Sequence, residues 1–420
     1  VTDLTSCEKE GSVGACYSGE CVVEPEWATG VPFRIGGGSG PIARPRVAVA
    51  ADGTAIAAWA EGDALMACHF TSTEGWEKPV VVDGVFFPDR GLDLGIDAAG
   101  NAVLLYGRVE ESSIDLRAAR FEATSGRWHD FGIVSRSGAV ADSPSVSITP
   151  EGSVTAVWRE GPRDIVLRRT RTIGPAWDPA VLISPDDGFD KLAPSVATAA
   201  NGEGAVVYAG QSLSGTAKTV WLTQIDSEGS IGPPIQQEAA LGEVVTTAVA
   251  VAPDGTAMAT WEQEKTMWYA YSPDGQWQLP DTAEPSETSA FAPVIAAADN
   301  GNFFVAWRLW WDIRVRRFAA SEQIWGNIES FHRYATNRAS RPSLAASPDG
   351  KAWVTWYEEV YIWMSRFAPD SGWGPTEQIS VELEPNASPL HGPELAAGAD
   401  GTLVIVWVDG TDVWSWVETP

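Results

Sequence analysis

The sequence predicts an all-β fold: an eight-bladed β-propeller of four-stranded antiparallel blades, closed by an N-terminal strand that completes the last blade. Three observations predict it. A glycine is followed six residues later by a large aromatic eight times, at Gly53/Trp59, Gly100/Tyr106, Gly152/Trp158, Gly202/Tyr208, Gly255/Trp261, Gly301/Trp307, Gly350/Trp356 and Gly401/Trp407. Successive glycines lie 46 to 53 residues apart, so the period nearly fills the 420 residues. Within each period the apolar spacing is two, and turn residues recur about every 8–12 positions, which suits short strands and not helices.

The elements follow in order from the copy between Pro342 and Ser380. Its first strand, Ser343-Leu344-Ala345-Ala346-Ser347, is built of small residues, as are Val47-Ala48-Val49-Ala50, Val196-Ala197-Thr198-Ala199 and Val249-Ala250-Val251-Ala252. Innermost strands converge on a central channel, where large side chains collide. The turn Pro348-Asp349-Gly350 follows, because glycine tolerates positive φ and Asp bonds its own backbone. Asp52, Asp254, Asp349, Asp400, Asn201 and Asn300 precede their glycines, whereas Ala99 and Glu151 are the weak copies. The second strand ends in Trp or Tyr, large enough to fill the widening gap between blades. A third strand, Val360 to Phe367, and a fourth, Trp373 to Ile379, complete the unit.

The last copy stops at Pro420 without a fourth strand. The fourth-strand pattern of Trp, Pro and an apolar end (Trp76…Pro79…Val82, Trp177…Pro179…Ile183, Trp373…Pro375…Ile379) occurs once outside the array, at Trp27…Pro32-Phe33-Arg34-Ile35. The N-terminal segment is therefore expected to close blade eight and remove the exposed sheet edges. A seven-bladed ring is the alternative. The organisation is a Cys-rich leader at 1–26 and a ring at 27–420. Blade cores fall near 44–83, 93–135, 145–184, 195–237, 247–285, 294–332, 343–380, and 394–420 with 27–36.

A formal charge of −28 excludes nucleic acid and anionic membrane surfaces as default partners. No apolar run is long enough to insert in a bilayer. Cys7, Cys16 and Cys21 lie in the leader and Cys68 in the third strand of blade one. An even number so placed points to two disulfides and a secreted, cell-surface or periplasmic chain, with a leader cysteine reaching Cys68. A zinc site is the alternative, although the spacings of eight, four and 46 intervening residues lack paired knuckles.

Chemistry is sought where the repeat breaks. The loops after the second strands carry acids: Glu61, Asp63, Glu110, Glu111, Glu160, Asp164, Glu262, Glu264, Glu358, Glu359, Asp409 and Asp412. They read either as a mouth for cations or as a solvated rim. Asp186, Asp187 and Asp190 flank a turn glycine and are the candidate calcium ligands, the one cofactor the sequence suggests. Blade six departs most from its siblings. Trp310, Trp311, Asp312, Arg314, Arg333, Tyr334 and Arg338 are its candidate ligand-binding residues, since Arg forks hold carboxylates and exposed indoles stack on sugars or grip cations. Arg317 recurs with Arg120 and Arg366 before a phenylalanine and reads as scaffold. No nucleophile elbow, phosphate loop or metal-ligand spacing among His69, His129, His332 and His391 is present.

Ser347-Pro348-Asp349-Gly350 and Phe33-Arg34-Ile35 give the array a resemblance to bacterial secreted β-propellers, including the sialidase-like group with aspartate-box repeats. In the first, Asp and Gly are adjacent where the box separates them. In the second, Gly36 stands where the sialidase signature has proline, and Arg34 sits in an outer strand, so no catalytic arginine transfers to it. The reading favoured is an extracytoplasmic binding propeller that recognises a protein, peptide or glycan through one face. The alternatives are a glycan-active hydrolase or lyase with carboxylates and Arg at the mouth, and a structural subunit of an extracellular assembly.

Overall fold

Each repeat glycine forms the same turn. Its N–H donates to the carbonyl three residues back in all eight copies, as from Gly53 to Ala50 at 3.1 Å, and its φ lies between +77° and +99°. This is a type I turn ending in a left-handed glycine, one residue longer than an Asp-Gly pair alone would make. The residue before the glycine accepts from the backbone two positions on, Asp254 from Thr256 at 3.0 Å and Asp400 from Thr402 at 2.9 Å. The weak copies are rescued from within the turn. Asp97 accepts from Asn101 N–H at 2.8 Å, and Thr149 Oγ1 from Ser153 N–H at 3.2 Å.

The computed structural model describes residues 29–420, except 39, 110–113, 137–139, 171–176, 213–217, 238–241, 243, 285–289, 333–338, 340 and 384–391; it gives only the backbone of 6–9, 12–17, 20–22, 89 and 245. The leader segments Ser6–Lys9, Ser12–Tyr17 and Glu20–Val22 form a three-stranded sheet of their own. Eight further antiparallel sheets follow in chain order, which is the eight-bladed propeller. In blades one and seven the outer strand is split into two pieces that both pair with the third strand. Among the described residues no helix is long and apolar enough to cross a membrane.

The second strand of every blade is its buried centre, and its terminal aromatic packs into the blade before it. Trp158 meets Val103, Leu105, Leu116 and Phe131 of blade two. Trp356 meets Ile313, Val315 and Phe331 of blade six, with the Phe331 ring stacked at 5.7 Å. A buried indole N–H needs an acceptor, and the residue two positions on supplies it. Trp59 donates to Glu61 at 3.2 Å, Trp158 to Glu160 at 3.3 Å, Trp261 to Gln263 at 3.3 Å and Trp356 to Glu358 at 3.1 Å. Where that position holds Leu309 or the shorter Asp409, the indoles of Trp307 and Trp407 have no hydrogen-bond partner among the described residues.

The innermost strands have a free edge, and side chains from the neighbouring blade bond to it. Seven residues before the repeat glycine stand Arg46, Asp93, Ser145 and Ser343. Asp93 accepts from Val146 N–H at 2.8 Å, Ser145 from Val196 N–H at 3.3 Å and Ser343 from Leu395 N–H at 3.0 Å. At the seam this position is charged throughout. Arg46 donates to Glu394 of blade eight at 2.6 Å and to the Leu92 carbonyl at 3.2 Å, with Asp93 of blade two 3.5 Å away.

The N-terminal strand Phe33–Gly37 pairs with Asp412–Glu418, so the ring closes on eight blades and the seven-bladed alternative falls away. Gly36 is required there, because a Cβ would lie 2.3 Å from the Trp59 ring that wedges blade one against blade eight. The cysteine expectation needs correcting at one position. Cys68 is a buried free thiol, with burial and then the Glu77 charge raising its pKa, and no bridge from the leader reaches it. The side chains of Cys7, Cys16 and Cys21 lie outside the described residues.

Candidate functional site

The strand pattern sends the turns between first and second strands to one face of the ring and the hairpins between second and third strands to the other. The acids expected on this hairpin face are not a free ring of carboxylates. Glu61, Glu160 and Glu358 hold the wedge indoles, Glu262 is buried, and Asp412 pairs with Arg34 at 2.9 Å. Glu110 and Glu111 lie outside the described residues.

Two of the three candidate calcium ligands already have cationic partners. Asp187 is ion-paired with Lys191, whose side chain is wholly buried and also donates to the Phe189 carbonyl at 3.1 Å. The ammonium thus already supplies the positive charge that a bound calcium would bring to Asp187. Asp190 instead faces Arg163, and among the described residues no three Asp, Glu, His or Cys side chains converge on one point.

Blade six divides into scaffold and surface. Arg314 reaches the buried Glu284 at 2.8 Å, and Arg308 donates to the Ala339 carbonyl at 3.3 Å while lying over Phe291. Arg316 donates to the carbonyls of Gly326 and Ala283 at 2.9 and 2.7 Å and lies over Trp325. Burial lowers the pKa of Arg316 from its ordinary value. Arg317 lies over Phe367, which bears out its scaffold reading. These guanidiniums hold the blade together. Arg333, Tyr334 and Arg338 lie outside the described residues.

Trp310 and Trp311 form the two-residue tip joining Phe303–Leu309 to Asp312–Ala319, and they are 57% and 40% exposed. Trp310 has φ +52°, the left-handed region that Gly62 and Gly410 occupy at the same hairpin position in blades one and eight, and Glu264 and Glu359 in blades five and seven. For a bulky residue this costs about 1–2 kcal/mol against the usual conformation. Asp312 beside them faces His332 at 3.4 Å.

A second feature of the same face was not legible as a site in the sequence. A groove of about 880 Å³ over blades two to four is lined by Arg90, Arg136, Arg159 and Arg163 with Asp142, Glu160, Asp164 and Asp190. Each arginine arrives from a different local element. Arg90 ends the short 3-10 turn Pro88–Arg90, Arg136 lies in the connection out of blade two, Arg159 in the second strand of blade three, and Arg163 in the hairpin after it. Asp142 takes Arg159 in a bidentate pair at 2.7 and 2.6 Å and also accepts from Arg90 at 3.3 Å. Glu160 binds the Arg136 side chain and, at 2.7 Å, its backbone N–H, while Asp164 accepts from the same guanidinium at 2.6 Å. These bonds raise the pKa of Arg136, Asp164 being the larger cause, and Asp142 does the same to Arg159. The repeat frame was the one signal that could have placed these residues together, since Arg159 follows the wedge Trp158 and Arg163 lies at the next hairpin.

No protein-family model matches the chain, and no curated protein matches it significantly. Solved structures do. The chain is similar to the Dos1 propeller, with a TM-score of 0.55 at 9% identity over 92% of this chain and 94% of that one. It is similar to an ulvan lyase of polysaccharide lyase family PL25, with a TM-score of 0.54 at 12% identity over 79% of this chain and 94% of that one. A Hadza microbial sialidase aligns at a TM-score of 0.40 and 13% identity over 74% of each chain. At these identities the likeness is one of fold, which the first two share with this chain and which hosts unrelated activities.

Proposed function

We propose that this protein is a binding propeller that takes a glycan on the face formed by the hairpins between second and third strands. The observation that carries the reading is the Trp310–Trp311 tip, two exposed indoles held out at a turn where blades one and eight place glycine. A large apolar pair kept exposed is explained by a partner that covers it. Flat indole faces suit sugar rings, and Asp312 beside them offers a hydroxyl acceptor. An extracytoplasmic setting fits this role.

The test is a glycan array read with the intact protein and with the double variant Trp310→Ala/Trp311→Ala. Both side chains are exposed, so the variant is expected to keep its thermal midpoint. Binding is expected to fall about 30-fold or more, the scale of a loss of ~2 kcal/mol at an aromatic hot spot. Unchanged array binding overturns the reading. So does turnover of the bound glycan, which assigns the face to a glycan-active enzyme instead.

A further inference from the structure

The groove over blades two to four has an imbalance of hydrogen-bonding capacity. An arginine side chain has five N–H donors and no acceptor. Arg136 uses Nε on Glu160 and Nη2 on Asp164, and Arg159 uses Nε and Nη2 on Asp142. Arg90 spends one donor on Asp142, and its Nε is buried with no partner. Among the described residues the Arg163 side chain makes no hydrogen bond, and its one ion pair, to Asp190, is 4.0 Å long. Its side chain is 49% exposed and that of Arg136 46%.

The acceptors are nearly spent. Both oxygens of Asp142 and both of Glu160 are engaged by Arg159, Arg90, Arg136 and Trp158. Asp190 and one oxygen of Asp164 remain. The carboxylates act as struts that fix the guanidiniums, leaving a rigid groove whose surplus is N–H donors. Four arginines against four acids also make this a charge-neutral patch on a chain of formal charge −28. At physiological ionic strength, charges farther away than about 8 Å are largely screened, so the local donors dominate over the remote negative charge.

We propose that this groove recognises the carboxylate of a uronic-acid oligosaccharide, with Arg163 as its principal receptor and the remaining donors of Arg136 and Arg159 beside it. The inference rests on the glycan reading of the hairpin face and names the ligand class. A planar guanidinium matches a carboxylate in a two-bond fork, which a lysine cannot reproduce. A sugar acid is favoured over an acidic peptide because Val140 and Pro162 are the only aliphatic side chains of the lining; the rest of its carbon surface is the stems of the arginines and acids, on which a sugar ring can lie while its carboxylate meets the guanidiniums.

The experiment is calorimetric titration of the intact protein with tetragalacturonate, its fully methyl-esterified form and a hexaglutamate peptide. Wild type, Arg163→Ala, Arg163→Lys and Trp310→Ala/Trp311→Ala are compared. Tetragalacturonate is expected to bind, and to bind about tenfold more weakly to either Arg163 variant, the scale of one charge-assisted bond. The ester is expected to bind wild type about tenfold more weakly than the acid does. Equal binding of acid and ester, or an unchanged Arg163→Ala, overturns the proposal. Binding of hexaglutamate alone, lost in Arg163→Ala, overturns the sugar assignment. If no acidic probe binds while the array still shows a Trp310-dependent neutral glycan, the groove proposal fails and the hairpin-face reading stands.

Discussion

Replacing Trp158 by alanine should lower the unfolding free energy by about 3–5 kcal/mol, the range for deleting a large, fully buried aromatic. The side chain has no exposed surface and is enclosed between blades two and three, so the cavity is walled by two sheets that cannot easily collapse onto each other. A second cost falls on Glu160, itself buried, which loses the indole donor. Trp158→Phe separates the two effects. It keeps most of the volume and should cost about 1–3 kcal/mol, the scale of one lost hydrogen bond to a charged acceptor, because Glu160 Oε1 keeps the Arg136 N–H. Urea unfolding of both variants measures the difference. A cost below about 1 kcal/mol for the alanine variant would mean that the aromatic is not the wedge that joins the blades.

Removing Arg46 should be nearly as damaging and should carry a pH signature. Arg46 lies between Glu394 and Asp93 on the inner strands of blades one, eight and two, where the ring closes. Breaking a buried charge cluster by deleting one partner costs about 3–5 kcal/mol. Here the three side chains are 25–35% exposed toward the channel. Water there relieves part of the penalty, so about 2–3 kcal/mol is expected for Arg46→Ala. Burial raises the pKa of both Asp93 and Glu394, and Arg46 opposes that rise in each. A carboxyl with a raised native pKa binds its proton more tightly when folded. Its contribution to stability is present below the unfolded pKa near 4 and is lost as pH rises through the native value. Without Arg46 both values rise further. The deficit of the variant should therefore be largest near pH 7.5 and shrink toward pH 5 in urea titrations. A deficit that is constant, or that grows on acidification, would contradict this account of the seam.

The fold was legible because its determinants are local and repeated. The Gly53 turn and the Trp59 wedge recur with one spacing, and the Phe33–Ile35 strand repeats the outer-strand pattern at the far end of the chain. The structure adds what the period leaves out. Thr149 and Asp97 substitute for a missing turn carboxylate, and the acid two residues past Trp59, Trp158 and Trp356 is an indole acceptor and not a mouth ligand. Reading Glu61, Glu160 and Glu358 as a rim of available charge missed this, because composition cannot tell a satisfied carboxylate from a free one. The same limit applies to Asp187, whose partner Lys191 is four positions away in sequence and fully buried. Exposure of Trp310 and Trp311 could be anticipated from the broken repeat. For the arginine groove the repeat frame relates only Arg159 and Arg163, since Arg90 and Arg163 are separated by 73 positions and the curvature of the ring brings blades two to four around one cleft.

The central claim is that ligand meets the hairpin face and not the turn face. Hydrogen exchange of the intact protein, free and saturated with the glycan that binds it most tightly on the array, tests this directly. The account predicts slowed exchange at 159–164 and 309–312, with the turns at 50–53 and 252–255 on the opposite face unchanged. Protection confined to those turns, or an unchanged hairpin face under saturation, would contradict it.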